Sequence, residues 1–414
     1  MVAVPKVVIA GGGIVGTSIA YFLAPADVEL VLVDPVGIAP AASAKAGGFL
    51  ARTWRDGTVL QDMQRRGFAL HQELANELGA DRIDYRRLSC YSVAVGRQGP
   101  AHPSEVKWAD LNVRDCTSMG QPEDIAQVHP RKLCQTLWNE TVQRSPTATL
   151  RQGRIVKALT DSNGSSKAVT GVQLDDGSTL DADVLVCACG PWTHEAQTWF
   201  NDDNDDNVKA AHSSTSILPT ITSVKCHSML VANPEPLDQA VFFTSLDADL
   251  LDPEADVEVY PRPDGDCYVN GFPDEEGIIS EQPGQEEVVD DEIALLQQAM
   301  ERTSSILGKM EPHTTQVNSH CLVGGTHNWT AMSLFPFSPS VSTFQACYWP
   351  ESPDGLPCIG PIPGISGAFM ATGHSVWGIL QGPITGKAVA ELILNGESST
   401  LDLTPFGLER FANL

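Results

Sequence analysis

The sequence predicts an α/β protein (α+β overall) in which a parallel sheet is interrupted by a separate antiparallel sheet. A short apolar run at 6–10 leads into three glycines, a helical pattern and a second apolar run at 28–34. This strand–helix–strand order is typical of a βαβ unit, which builds a parallel sheet. Antiparallel strands are instead indicated by alternating apolar and polar residues, at 221–232, 241–244, 256–260 and 266–270.

The composition limits the classes of protein to which the chain can belong. Its 414 residues suggest two or three domains, and 42% apolar with 19% charged residues is the usage of a globular protein. The formal net charge is −26, from 26 basic and 52 acidic residues. Such a surface repels nucleic acids and anionic membranes. No apolar run approaches the roughly 18–20 residues of a membrane span.

The remaining elements follow from periodicity and from glycine and proline. Helical spacing predicts helices at 57–79, closed by Gly79, and at 128–146, opening after His129-Pro130. Short strands are expected at 152–160, 169–174, 179–181, 183–189, 341–349 and 366–371. A helix with Ile293 and Leu296 on one face follows the acidic tract 274–292, and a last helix is expected from Pro383 to 395, ended by Gly396.

These elements predict a discontinuous nucleotide-binding domain and an inserted substrate domain. The nucleotide-binding domain comprises 1–84, 128–215 and 345–414, and the antiparallel-sheet domain comprises 85–127 and 216–344. We expect the acidic runs at 201–206 and 274–292 to be solvated loops and not a calcium site. Much of the excess charge falls in these runs and in 247–258, outside the motifs described below.

The cysteines and the N-terminus favour a cytoplasmic location. The first 13 residues lack the basic flank, apolar run and cleavage site that a signal peptide needs. The ten cysteines include no CxxC pair, so reduced thiols are expected. The histidines and carboxylates show no metal-ligand spacing, no serine lies in a GxSxG turn, and we expect no metal.

A glycine motif follows the first strand. In Gly11-x-Gly13-x-x-Gly16, the first glycine permits a tight turn, the second lets the backbone approach a pyrophosphate, and the third lets the helix pack on the strand. The unpaired N–H groups of the helix N-terminus, where Ile14 and Val15 lie, favour that anion.

An acidic residue completes the dinucleotide motif. Asp34 ends the second strand, 18 residues after Gly16, where a carboxylate accepts hydrogen bonds from a ribose diol. It would also repel a 2′-phosphate, which disfavours NADP. The motif predicts a dinucleotide but does not separate NAD from FAD.

Four segments resemble the D-amino-acid oxidase, glycine oxidase and sarcosine oxidase superfamily of FAD-dependent oxidoreductases. They are VVIAGGGIVGTSIAYFLA (7–24), AASAKAGGFLARTW (41–54), VLVCACGPWT (184–193) and CYWPESPDGLPCIGPIPG with ATGHSVWGILQGPITGKAVAELI (347–393). The segment VYPRPDG (259–265) most resembles a eukaryotic subgroup whose members are largely described only as oxidoreductases.

The resemblance implies FAD and positions for its parts. Ser43, Lys45 and Gly48 would lie along the ribityl chain and the pyrophosphate, with Lys45 offsetting the diphosphate charge. The backbone of Val156 would meet the adenine, and the segment from Gly190 to Trp192 would close the adenosine end. The flavin ring would be edged by Gly373, His374, Trp377, Gly378 and Ile379.

Helix electrostatics support a flavin site in the C-terminal segment independently. FAD is long, so a second glycine-rich turn must hold its ring far from the pyrophosphate. The tract 372–385 leads into a helix whose positive end can face the N1–C2=O edge of the flavin. Such a charge stabilises the anionic reduced flavin.

The implied reaction is removal of a hydride from a C–H bond next to nitrogen, giving an imine that water hydrolyses. Arg52 matches an arginine that grips the substrate carboxylate in sarcosine oxidases, although a structural arginine is an equal alternative. His374 is a candidate base or flavin donor, or a structural turn residue. His227 is a weaker candidate on the antiparallel sheet.

Three departures from the superfamily concern the substrate. Trp349 stands where glycine oxidase-like sequences carry a carboxylate-binding arginine, and Trp377 where sarcosine oxidases carry a lysine. No lysine near 268–271 matches the one that activates oxygen. A larger, aromatic-compatible substrate or an acceptor other than oxygen becomes plausible.

Cys347 matches the cysteine that bonds the flavin covalently in sarcosine oxidases. A free, buried thiol is the favoured alternative. Two functional alternatives to an amine or amino-acid oxidoreductase also stay open: a flavin-binding regulatory or trafficking protein with little turnover, and an NAD-dependent dehydrogenase. The sequence does not indicate the oligomeric state.

Overall fold

The structure is a computed structural model that describes residues 4–163, 166–200, 218–232, 236–274, 278–309 and 344–412. Its helices are α1 (Ile14–Leu23), α2 (Ala42–Lys45), α3 (Gln61–Leu78), α4 (Pro130–Arg144), α5 (Ala196–Trp199), α6 (Asp290–Thr303) and α7 (Gly378–Asn395). Its strands are β1 (Lys6–Ala10), β2 (Glu29–Asp34), β3 (Phe49–Ala51), β4 (Arg86–Arg87), β5 (Ser89–Val95), β6 (Val113–Gly120), β7 (Ile125–Gln127), β8 (Thr149–Gln152), β9 (Ile155–Asn163), β10 (Ser166–Leu174), β11 (Thr179–Asp181), β12 (Val184–Cys187), β13 (Thr222–Ala232), β14 (Gln239–Ser245), β15 (Glu258–Pro261), β16 (Asp266–Asp274), β17 (Phe344–Glu351), β18 (Cys358–Pro361), β19 (Ile365–Ser366) and β20 (Ala368–Thr372).

A six-stranded sheet contains the predicted βαβ unit. Its strand order is β18-β20-β12-β1-β2-β8, and every pair is parallel except β18 with β20. Alternate residues of β1 enter different cores: Val7 and Ile9 pack with the helices, and Val8 packs with the sheet formed by β9 and β10. Because both faces are covered, the strand is apolar throughout. The predicted α/β class is confirmed.

A seven-stranded sheet contains the predicted antiparallel strands. Its order is β17-β13-β16-β15-β14-β5-β6, and only the pair β14 with β5 is parallel. Strand β17 pairs with β13, although the predicted division assigns residues from 345 onward to the nucleotide-binding domain. The sheet therefore takes in a segment from beyond that boundary, and the division into domains stays a prediction.

Helix α7 differs from its prediction at the N-terminus. It begins at Gly378, five residues before Pro383, so that the proline lies inside the helix. Proline has no N–H to donate to the carbonyl four residues earlier, here that of Ile379. For this reason proline usually lies in the first turn of a helix and not in its interior. Here Nε2 of the buried His71 lies 2.9 Å from that carbonyl and donates to it in place of the missing amide. The helix continues because a tertiary contact satisfies its backbone.

Glycines let α7 lie close to α1. A Cβ atom on Gly386 would lie 2.4 Å from Cβ of Ser18, and one on Gly382 would lie 2.7 Å from Ile14. This close approach fixes the N-terminus of α7 near the glycine turn. Within the described ranges, no helix combines the length and the apolar character that a membrane crossing requires.

Candidate functional site

A cavity of about 410 Å³ lies between the six-stranded and seven-stranded sheets. Residues at the carboxyl ends of four strands of the six-stranded sheet line it: Ala10 ends β1, Asp34 ends β2, Ala188 follows β12 and Thr372 ends β20. In open α/β sheets, ligands bind outside these ends. The opposite wall is one face of the seven-stranded sheet.

The glycine turn has the geometry that the motif predicts. Gly11 has φ 113°, and a Cβ on it would lie 2.2 Å from the Ala188 carbonyl oxygen. Gly13 lines the cavity, where a Cβ would lie 3.1 Å from Ser43 Oγ. Gly16 lies outside the cavity lining, and a Cβ on it would lie 1.9 Å from the Gly11 carbonyl oxygen. The first and third glycines therefore serve the turn and the helix packing, and the second leaves room for a ligand.

The carboxylate of Asp34 is held by backbone donors. It accepts hydrogen bonds from the N–H groups of Gly12, Val36 and Gly37, at 2.8, 2.9 and 2.8 Å. Burial raises the pKa of Asp34, and these donors oppose that rise. The side chain lines the cavity, and a carboxylate has room for one further donor. A ribose hydroxyl is such a donor.

The hydroxyl of Ser43 binds the N-terminus of α1. Ser43 Oγ accepts from the N–H of Ile14 at 2.9 Å, so this amide is not free for a phosphate. The cavity lining includes Ser43, Gly48, Ile14 and Val15, and their contacts with FAD stay a prediction.

Lys45 does not reach the cavity. Its ammonium is bonded to the carboxylate of Glu286 and to the Ala346 carbonyl oxygen, 2.9 Å away. The Glu286 side chain has no exposed surface. This pairing leaves no free ammonium at the cavity, so the expected role of Lys45 at the diphosphate stays a prediction that the geometry does not favour. The expectation that all of 274–292 is solvated is wrong, because Glu286 is buried as the partner of Lys45.

The adenosine end differs from the expectation by one or two residues. Gly190, with φ 54°, and Trp192 line the cavity, and the Trp192 indole donates to the Ser280 carbonyl at 2.8 Å. Val156 is 43% exposed and is not part of the lining. Arg154 and Ile155 line the cavity in its place. Arg154, which sequence reasoning missed, is paired with Glu195.

The N-terminus of α7 forms one end of the cavity. We call it the ring end, because the resemblance implies that the flavin ring lies there. His374, Trp377, Gly378 and Ile379 line it, whereas Gly373 makes the turn with φ 78° without lining it. Nε2 of His374 lies 2.9 Å from Thr385 Oγ1. Burial lowers the pKa of His374 to about 4. His374 is therefore neutral at neutral pH and suits a hydrogen-bonding role better than that of a base.

Arg52 also lies away from the cavity. Its Nε atom is 2.6 Å from Asp124 Oδ1, and 39% of its side-chain surface is exposed. The structure favours the structural alternative for this residue. Arg55 is the nearer cation: its Cζ atom lies 5.2 Å from the centre of the Trp377 ring. Arg55 lines a second cavity of about 220 Å³, which Trp377 and His374 also border.

Cys347 lines the cavity opposite Cys226 of the neighbouring strand. Burial raises the pKa of the Cys347 thiol to about 12. The thiolate needed to form a bond to flavin is therefore disfavoured, which supports the free-thiol alternative. His227 is buried behind this wall, where its Nε2 atom accepts from the Val289 N–H at 3.1 Å.

Sequence reasoning missed Glu258 in the substrate-facing wall. On β15, Glu258 and Tyr260 face the cavity, whereas Val259 packs in the core beneath α6. Burial raises the pKa of Glu258 to about 7. The acidic run 247–258 lies outside the recognised motifs, but the strand alternation could have indicated that its last member faces inward.

One group of metal-ligating type occurs among the described residues. Potential ligand atoms of Asp84, His129 and Asp264 lie within 4.8 Å of one another. The Lys132 ammonium is 2.5 Å from Asp84, so a cation already neutralises this carboxylate. The group lies outside the cavity lining.

The fold and cavity define a class of protein. A glycine turn at a helix N-terminus, an acid at the end of β2 and a second helix N-terminus across the cavity fit a dinucleotide that carries a redox ring. The seven-stranded sheet forms the opposite wall of the cavity. This is the architecture of a dinucleotide-dependent oxidoreductase.

The chain belongs to the FAD dependent oxidoreductase family, whose model matches residues 6–392. A relative from Schizosaccharomyces pombe, named "Putative oxidoreductase C1F5.03c", is 28% identical and covers 96% of this chain and 97% of that protein. The solved glycine oxidase from Geobacillus kaustophilus has a TM-score of 0.67 at 20% identity and covers 98% of each chain. Iminodiacetate oxidase from Chelativorans sp. BNC1 has a TM-score of 0.67 at 17% identity over 97% of this chain and 98% of that chain.

These comparisons confirm the resemblance and identify the cofactor as FAD. The NAD-dependent alternative is thereby set aside. At such identities, the structural likeness shows the fold and leaves the substrate to be argued from this chain's own cavity.

Proposed function

We propose that the protein oxidises a C–N bond of an amine or amino acid to an imine, which water then hydrolyses. One observation carries this proposal: the cavity passes the N-terminus of α7 and continues along the polar and aromatic wall of the seven-stranded sheet. This wall gives a small organic substrate a position beside the place expected for the flavin ring. FAD, when bound, accepts the hydride from the substrate carbon.

The chain's own residues would bind FAD and orient the substrate. Gly13 leaves space for the pyrophosphate, and Asp34 offers an acceptor to the adenosine ribose. The N-terminus of α7 points its partial positive charge at the ring end. Trp377 and the sheet wall would exclude water and hold the reacting carbon.

Anaerobic reduction of the flavin tests the proposal. We expect at least one member of a panel of N-methylamines, N-methyl amino acids and D-amino acids to bleach the flavin absorbance. The matched ethers, in which oxygen replaces the nitrogen, are the controls and should leave it unchanged. If no amine and no amino acid bleaches the flavin, the proposal fails and the regulatory alternative gains support.

The electron acceptor needs a separate measurement. Tyr268, Asn270 and Gly271 line the cavity, and no lysine lies among the residues of β16. We therefore expect the reduced protein to react more slowly with oxygen than with an artificial quinone. Reoxidation rates after anaerobic reduction would measure this difference.

We also propose a cytoplasmic location. The nine cysteines within the described residues are all free, which suits a reducing compartment. Cell fractionation of the tagged protein tests this.

A further inference from the structure

Glu258 lies in the centre of the substrate-facing wall. Strand register places it opposite Asn270 of β16 on one side and Phe242 of β14 on the other, and all three line the cavity. Glu258 therefore has a neighbouring strand on each side, and the open side of its side chain is the cavity.

The hydrogen bonds of Glu258 leave one carboxylate oxygen available. The Tyr260 hydroxyl donates to Oε2, and Asn270 Nδ2 lies 3.4 Å from the same atom. Oε1 accepts no hydrogen bond from any described residue, and no described lysine or arginine forms an ion pair with Glu258. A partly buried carboxylate in this condition is ionised only at a cost, and a cation beside it removes that cost.

Aromatic rings surround the same part of the cavity. Phe242 lies 5.7 Å from Tyr260 and 5.1 Å from Trp54 between ring centres, and Trp54 lies 6.2 Å from Trp377. Each of these residues lines the cavity. Aromatic faces attract cations and also accept apolar substituents.

Among the described residues, this wall presents no lysine or arginine side chain to the cavity. Among the described residues that line the cavity, the only lysine or arginine is Arg154, which lies near the adenosine end and is paired with Glu195. Lys45 and Arg52 are bound to acids outside the lining. Outside the described ranges, the segment 310–343 contains neither lysine nor arginine, and Lys209 is the one such residue in the other segments.

Arg55 lies against Trp377 from the second cavity and does not line this one. Among the described residues of the lining, a substrate carboxylate in this part of the cavity would therefore meet the acids Glu258 and Asp256 and no lysine or arginine.

The geometry points to a substrate that is a cationic amine without a carboxylate, with its ammonium bound by Glu258 and its carbon substituents held by the aromatic wall. The inference deepens the proposed function and rests on it for the reaction, but not for the binding. A proton would pass from the substrate nitrogen to Oε1: the N–H bond breaks, the O–H bond forms, and the electron pair stays on nitrogen. The neutral amine is the form from which a hydride is removed.

Equilibrium binding, read from the perturbed flavin absorbance spectrum, tests the inference without turnover. The probes are N-methylphenethylamine, its amino-acid counterpart N-methylphenylalanine, and phenylacetate. The flavin-loaded wild-type protein should bind the amine about tenfold or more tightly than the amino acid, as one charge-assisted hydrogen bond warrants. Equal or tighter binding of the amino acid would overturn the inference.

The variant Glu258→Gln should lose about tenfold or more in affinity for the amine. It should bind phenylacetate no more weakly than the wild-type protein does, because a like charge next to that carboxylate is removed. Glu254→Gln is the matched control, because it removes the same charge from the same acidic run at an exposed position outside the lining. An unchanged affinity of Glu258→Gln for the amine would count against the inference.

A second variant, Trp349→Arg, tests the inference even if Glu258→Gln does not fold. Trp349→Arg adds a guanidinium to the same wall and should raise the affinity for N-methylphenylalanine above that for the amine. An unaltered preference would contradict the assigned orientation. Glu258-dependent amine binding without bleaching would instead refute the proposed oxidation, and bleaching by amino acids in preference to amines would refute this inference alone.

Discussion

The ring of His71 and the backbone of Ile379 are joined by a hydrogen bond that replaces one lost to proline. Nε2 of His71 lies 2.9 Å from the Ile379 carbonyl, the helical acceptor for which Pro383 has no N–H. Through this contact α3 supports the first turn of α7, whose N-terminus forms the ring end of the cavity. A residue far from the chemistry thus holds part of the site.

Removing this donor should destabilise the protein. His71→Ala leaves a buried carbonyl unpaired and opens a cavity, which costs on the order of 3 kcal/mol of unfolding free energy. His71→Gln retains an N–H donor and should lose less. Chemical denaturation, with flavin retention as a second readout, measures both. Equal stability of His71→Ala and the wild-type protein would show that water or a shifted helix replaces the bond.

The same histidine makes stability depend on pH. Burial lowers the pKa of His71 to about 4 in the folded protein, whereas an unfolded histidine has a pKa near 6.5. The unfolded state therefore binds the proton first, and stability falls as the pH drops from about 6.5 to about 4. His71→Gln should remove on the order of 3 kcal/mol of this loss. Burial also lowers the pKa of His374, to about 4. Since His374 is still present in His71→Gln, part of the loss of stability at low pH should remain in this variant.

The ion pair of Lys45 and Glu286 should show strong coupling. Removing either partner alone leaves a buried charge unpaired and costs about 3–5 kcal/mol, whereas the double variant Lys45→Met/Glu286→Leu should cost much less. A double-mutant cycle of unfolding free energies measures the coupling. The affinity for FAD decides the role of Lys45. If the double variant is stable but binds FAD about tenfold more weakly than the wild-type protein, Lys45 does offset the charge of the diphosphate.

Alanine substitutions of the second and third glycines of the turn should affect different properties, FAD binding in one case and folding in the other. Gly13→Ala places its Cβ in the cavity, 3.1 Å from Ser43 Oγ, at a φ of −75° that alanine accepts. It should fold and bind FAD about tenfold or more weakly. Gly16→Ala places its Cβ 1.9 Å from a carbonyl oxygen and should destabilise the fold itself. Circular dichroism and FAD titration separate the two; a soluble Gly13→Ala protein with wild-type affinity would argue against a pyrophosphate at this turn.

Arg52→Ala should leave KM for any substrate within about twofold, because the side chain binds Asp124 outside the cavity. Its half-exposed ion pair is worth less than about 1 kcal/mol of stability. Asp124→Ala is the control and should behave alike. A large rise of KM confined to carboxylate substrates would instead support the clamp that the resemblance implied.

Much of the nucleotide-binding site could be predicted from the sequence because its determinants are local. Strand, glycine turn and helix succeed one another within about 20 residues, and Asp34 is placed by the strand that carries it. The start of α7 was wrong by five residues, because the donor that permits Pro383 inside a helix comes from α3. No local pattern reports such a contact.

The sequence by itself determined the fold class, a dinucleotide cofactor and the position of the glycine turn, since these depend on short-range periodicity and on motifs whose residues lie close together in the chain. FAD in place of NAD followed from the family resemblance. The tertiary structure decided which charges face the cavity. Lys45 and Arg52 looked like site cations, yet acids distant in sequence bind both of them. Glu258 belongs to an acidic stretch outside the recognised motifs, yet strand register turns it into the cavity. Charges find their partners across the fold, so their roles follow from packing and not from sequence position.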